Sequence, residues 1–165
     1  SAKSSARSKL SAGGTAIRAT ATDPDGEGVQ DILIDSPIHL TAHAAYTLRI
    51  QLINELADPS APEYNVSDEV EEEGDEHMIF YSWTNNVFSD PTGNGNIDNR
   101  ADVVNYNDED ANGQPIGLET SWTAGGASSG NFRIVLKHQP DLKTATSTST
   151  TGETDVDLEF AIIIQ

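Results

Sequence analysis

The stretches NFRIVLKH (131–138) and DVDLEFAIII (155–164) decide the fold of this chain. In the first, Phe132, Ile134 and Leu136 alternate with Arg133, Val135 and Lys137. In the second, Val156, Leu158, Phe160, Ile162 and Ile164 alternate with Asp155, Asp157, Glu159, Ala161 and Ile163. Successive side chains of a strand point to opposite faces, so the pattern yields one apolar and one more polar face. Wound as a helix, it would scatter the apolar residues round the axis.

Working outward, the same period of two returns in Thr15, Ile17, Ala19 and Ala21, in Tyr46, Leu48, Ile50 and Leu52, and in Ile116, Leu118, Thr120 and Trp122. Met78–Trp83 is an aromatic-rich run that suits a strand, and Ile32–Ile34 and Val103–Tyr106 are weaker candidates. Gly, Asn, Asp and Pro part these runs. The expectation is an all-β, antiparallel immunoglobulin-like β-sandwich of about seven to nine strands. Residues 15–165 form its single domain, with Leu48, Ile50, Ile134, Leu136, Leu158, Phe160 and Ile162 in one core. Residues 1–14 stand apart as a small, polar segment carrying Lys3, Arg7 and Lys9. Its alternating Ala2, Ser4, Ala6, Ser8 and Leu10 predict a strand added at a sheet edge.

One segment departs from alternation. No Lys or Arg falls between Arg49 and Arg100, and Ser67–Glu76 is too dense in acids for a strand. It reads as a short acidic helix or loop, with Ser67 as the cap, Asp68 and Glu69 opposing the positive end of the helix dipole, and Gly74 as the stop.

Charge narrows the partners. Of 165 residues, 27 are Asp or Glu and 9 are Lys or Arg, a formal net charge of −18. Such a surface repels nucleic-acid phosphates and anionic lipid, attracts cations or basic proteins, and suits high salt. The absence of Cys excludes disulfides, thiolate metal sites and Cys nucleophiles. No run reaches the roughly 18 apolar residues of a membrane span.

Six stretches carry a family resemblance when read together: TDPDGEG (22–28), LINEL (52–56), EVEEEGDEHMIFY (69–81), YNDEDANGQPIGL (106–118), LKHQP (136–140) and GETDVDLEFAIIIQ (152–165). From about residue 13 onward the chain resembles uncharacterised Bacteroidota lipoproteins often labelled "type 1 periplasmic binding fold superfamily". The resemblance implies an exported envelope protein with a lipid anchor upstream of the sequence shown, at the outer membrane surface or extracellular. A periplasmic binding fold needs alternating βαβ units, whereas this chain shows strands with barely one helix. The expectation therefore follows the periodicity.

Two acidic turns are candidates for Ca²⁺. Asp108, Asp110 and Asn112 followed by Gly113 place oxygen ligands at alternate positions of a tight loop, and Glu119 falls where a bidentate carboxylate closes an EF-hand loop. Pro115 and the strand-like run after it argue against a following helix, and an Asx-rich hairpin turn is the alternative. Asp23, Asp25 and Glu27 form a similar turn. Of the histidines His39, His43, His77 and His138, the pair His77 and His138 are candidate ligands for Zn²⁺ or Cu²⁺, with Glu73 four residues before His77. Tyr81, Trp83 and Trp122 suit either sugar stacking or the core. No G-x-S-x-G, H-E-x-x-H or phosphate loop occurs. The functional expectation is a non-enzymatic surface or secreted binding module of an envelope uptake or adhesion system, calcium-stabilised at its loops. A protein partner or self-association is expected. The alternative is a structural subunit assembling by strand addition.

Overall fold

Alternation along the chain becomes two facing sheets. The computed structural model describes residues 4–12, 15–23, 32–35 and 37–165. Along them run β1 (Ser4–Ala12), β2 (Thr15–Thr22), β3 (Leu33–Ile34), β4 (Ile38–Leu40) and β5 (Ala45–Asn54), then helix α1 (Val66–Glu72). There follow β6 (His77–Trp83), β7 (Phe88–Asp90), β8 (Glu119–Ala124), β9 (Ser128–His138) and β10 (Glu153–Ile164). One sheet has the order β3-β2-β1-β5-β8-β7 and the other β4-β10-β9-β6.

Within this arrangement β5-β8-β7 and β6-β9-β10 take the positions B-E-D and C-F-G of an immunoglobulin sandwich. One pair corrects the wholly antiparallel expectation: β4 runs parallel to β10, Ile38 opposite Ile162 and Leu40 opposite Ile164. β3 ends at Ile34 in one sheet and β4 begins at Ile38 in the other. A second correction concerns the N-terminal segment. β1 lies between β2 and β5, with Ser8 opposite both Ala19 and Ile50, so it is an interior strand. The β1–β2 hairpin puts β2, and then β3, outside it; residues 1–3 and 13–14 lie outside the described residues.

All seven expected core residues are buried in one cluster. Its centre is aromatic. Trp122 meets Trp83 edge-on at 5.2 Å and 90° and Phe132 at 5.2 Å and 81°, while Tyr81 and Phe88 lie 5.4 and 4.6 Å from it. The Trp122 indole N–H donates to Thr120 Oγ1 at 2.7 Å. Tyr81, Trp83 and Trp122 are at most 2% exposed, so these aromatics fill the core and offer no sugar platform.

The helix forms where acids were expected to start one, but Asn65 is its N-cap and makes no side-chain cap bond. Ser67 lies inside the first turn, and its Oγ accepts the Leu52 N–H at 2.6 Å, fastening the helix to β5. Val70 is the buried contact of α1, and the chain leaves through a 3-10 turn, Gly74–Glu76.

Val103–Tyr106 forms no strand. It belongs to the long β7–β8 connection, which covers the otherwise free edge of β6. There Ile79 N–H donates to Ile116 O at 2.7 Å, Tyr81 N–H to Asn96 Oδ1 at 3.0 Å and Trp83 N–H to Asn94 O at 3.1 Å. In return, Ile79 O accepts from the Tyr106 hydroxyl at 2.6 Å and Tyr81 O from Asn96 N–H at 2.8 Å. An exposed strand edge is thereby satisfied by a loop. Gly95 makes the approach possible: its φ is +95°, and a Cβ there would stand 2.1 Å from Tyr81 O.

Candidate functional site at the acidic end

The strand directions bring the β5–β6, β7–β8 and β9–β10 connections to one end of the sandwich, beside the end of β2. Most of the candidate residues read from the sequence gather there.

Asp108 accepts the backbone N–H groups of Gly117 and Leu118, both at 2.8 Å. Burial nonetheless raises its pKa above the ordinary aspartate value. Asp110 is the buried member of the turn. Its Oδ1 accepts from Asn112 N–H at 2.8 Å and Gln114 N–H at 2.9 Å, and its Oδ2 lies 2.8 Å from Lys143 Nζ. Both side chains of this ion pair are 1% exposed. Lys143 also donates to Gly74 O at 2.7 Å, joining the turn after α1 to the Asp110 turn. Burial pushes the Lys143 pKa down against the pull of Asp110. Burial works the other way at Asp110, but the Lys143 ammonium and two backbone N–H groups outweigh it and hold the carboxyl below its usual value.

Glu119 turns elsewhere, with Oε2 2.9 Å from Arg49 Nε. Asn112 is an exposed turn residue, and Gly113 takes φ +77°, the conformation the turn needs. The carboxylates of Asp108, Asp110 and Glu119 are thus each engaged by a different protein partner. Asp23 lies in a small pocket with Ala21, Ile32 and residues 155–158. Asp25 and Glu27 lie outside the described residues.

Between the helical segment and the Asp108–Asp110 turn runs a cleft of about 290 Å³, lined by Glu71, Glu72, Gly74, Asp75, Asp108, Glu109, Asp110, Ala111 and Ile116. Glu71, Glu72, Asp75 and Glu109 are exposed around it, whereas Lys143 is buried against Asp110. Among the described residues no ion pair engages these four rim carboxylates, and the buried pair holds Asp110 beneath them. Such a concave surface focuses its field on an incoming cation.

On the far side of the Gly74–Glu76 turn, antiparallel register places His77 directly opposite His138. Their rings stack with centroids 4.8 Å apart and planes 14° from parallel. His77 is 6% exposed and its Nδ1 lies 3.0 Å from the Glu73 carbonyl oxygen. His138 Nε2 is 3.3 Å from Glu76 Oε2, and His77 Nε2 is 3.8 Å from Asp155 Oδ2. Among the described residues, the group of three or more metal-ligating side chains whose ligand atoms lie within 4.8 Å of one another is Glu73, His77 and His138. His39 and His43 are exposed and belong to neither cluster.

No protein-family model, curated protein or solved structure matches the chain. Its functional reading therefore rests on this geometry. Sequence reasoning missed Lys143, whose lone positive charge in a Thr-rich stretch was the available signal. It also missed Glu76 and Asp155. The register shift between Thr154 and Val156 leaves Asp155 out of the β9–β10 pairing, and no local pattern announces such a bulge.

Proposed function

We propose that this protein is a non-catalytic binding domain of a bacterial envelope, surface-held or secreted, whose acidic end receives a Lys- or Arg-rich segment of a partner protein. The observation that carries the reading is the cleft between the helical segment and the Asp108–Asp110 turn, with exposed carboxylates on its rim and, in its lining, Asp110 held by a buried ion pair with Lys143. A site held in shape before binding loses less entropy when the ligand arrives. The edge-covering loop and the Lys143 bonds supply that support. The resemblance to envelope lipoproteins supports the location, and the acidic surface supports the charge class of the partner.

The test is titration with a Lys-rich peptide and a Glu-rich control of equal length. The Lys-rich peptide binds and the control does not. Neutralising Glu71, Glu72 and Glu109 to Gln, which leaves Asp108 and Asp110 in place, weakens binding by about 3-fold or more at low salt. Equal affinity for both peptides, or no change in the triple variant, contradicts the proposal.

A second reading, assembly by strand addition, is favoured by one feature. Edge strand β3 and its neighbour leave Ile32, Leu33 and Ile34 exposed at 39%, 61% and 38%. Apolar edges of this kind template pairing with another chain. Light scattering separates the readings: strand addition gives concentration-dependent oligomers that Leu33→Lys abolishes, whereas the binding domain stays discrete in both forms.

A further inference from the structure

We infer that Glu73, His77 and His138 form a binding site for a divalent transition metal of the zinc class. Two imidazoles and a carboxylate make a three-residue ligand set that borderline metals accept, leaving a fourth position for water or a second carboxylate. The all-oxygen turns of the same molecule have a different preference. Their ligands suit hard ions, and the carboxylates of Asp108, Asp110 and Glu119 are already bonded to protein groups.

Three features of the geometry support the assignment. The first is position: His77 and His138 are cross-strand partners in the β6–β9 pair, whose outer edge the β7–β8 connection covers, so their Cα atoms are held by the ladder without any metal. The second is orientation. The Glu73 carbonyl 3.0 Å from His77 Nδ1 fixes the proton on that nitrogen and leaves Nε2 with its lone pair, the outer-shell arrangement that metal-bound histidines use. The third is charge. Glu76 and Asp155 add their carboxylates at 3.3 and 3.8 Å from the two Nε2 atoms, so a dication enters a site already rich in negative charge.

Metal binding requires modest closure. Ligand atoms within 4.8 Å of one another must approach to about 3.4 Å, the edge of a tetrahedron with bonds of roughly 2.1 Å. The stacked rings must also tilt, since their lone pairs lie in nearly parallel planes. His138 and the exposed Glu73 have the room to move, whereas His77 is the buried anchor. Glu73 immediately precedes Gly74, whose carbonyl receives Lys143. An ion here would therefore tie the turn after α1, one wall of the acidic cleft, to the β6–β9 pair. The inference is independent of what the cleft binds.

The experiment is calorimetric titration of the full chain with ZnCl₂ at pH 7.5, beside MgCl₂ and CaCl₂, with melting temperatures recorded in each. Zinc binds one per chain and raises the melting temperature; magnesium and calcium do neither. His138→Asn and Glu73→Gln, both at positions with access to solvent, weaken zinc binding by more than the roughly 10- to 100-fold that loss of an outer-shell partner costs. The double variant His39→Gln/His43→Asn binds zinc like the wild type, and Co²⁺ gives the visible absorption of a tetrahedral site. His77→Ala is avoided because the residue is buried. No zinc binding by the folded wild type, zinc binding that survives both His138→Asn and Glu73→Gln, or binding lost with His39 and His43, overturns the inference.

Discussion

At the scale of single residues, the buried Asp110–Lys143 pair gives the sharpest expectation. Two charges that are each 1% exposed depend on each other. Removing one partner from such a pair typically costs about 3–5 kcal/mol, because the other charge is left buried and unpaired. Lys143→Met should therefore lose stability of that order in chemical denaturation. Asp110→Asn/Lys143→Met should lose less than Lys143→Met alone, since Asn keeps a carbonyl for the Asn112 and Gln114 N–H groups and leaves no charge behind. The pH dependence follows from the lowered Asp110 pKa. A carboxyl held below its unfolded value contributes stability that is complete above about pH 3.8 and is lost as pH falls through the folded-state value. Acid titration of the double variant should lack this component. The sequence showed half of this site. The spacing of Asp108, Asp110, Asn112 and Gly113 announced a tight Asx turn, and Gly113 does take a positive φ. Which cation answers Asp110 was hidden, because Lys143 lies in a distant loop that only the tertiary fold brings near.

At the scale of elements, the long β7–β8 connection acts as a cover for β6. Gly95→Ala tests it. The backbone conformation alone costs a non-glycine residue on the order of 1–3 kcal/mol, and the new Cβ also collides with Tyr81 O. Gly113→Ala shares a positive φ, but nothing lies within 4 Å of its added Cβ, so it should cost less. Hydrogen exchange should show the Ile79, Tyr81 and Trp83 amides protected in the wild type and faster in Gly95→Ala. Calcium provides a second check on this connection. With Asp110 and Glu119 each paired to a cationic side chain, calcium and a chelator should give the same melting temperature. A calcium-dependent rise would show that the ion displaces those partners. The strands β5 and β10 were legible because each is ten or more residues long and alternates with one face buried, and β9 because Phe132, Ile134 and Leu136 keep the same period, although Val135 and Lys137 on its other face are buried as well. β7 is three residues long, too short to display a period. Val103–Tyr106 looked like a strand because a docking loop also needs apolar side chains.

At the scale of the whole molecule, a net charge of −18 on 165 residues means that folding works against self-repulsion. Screening shortens from about 30 Å at 0.01 M salt to about 3 Å at 1 M, so the melting temperature should rise with NaCl over that range. A flat or falling profile would show that local ion pairs outweigh the general field. The sequence revealed this charge in full, but not that much of it collects at one end of the sandwich. That distribution is a consequence of topology, which brings the connections β5–β6 and β7–β8 together. The central claim, that this end and no other part of the acidic surface receives a cationic partner, is tested most directly by amide NMR of the labelled chain titrated with a Lys-rich peptide. The account predicts saturable shifts concentrated at residues 71–75 and 108–111, with β1–β3 and the β8–β9 turn unmoved. Weak, non-saturating shifts spread over every acidic residue, or none at the cleft, would contradict it.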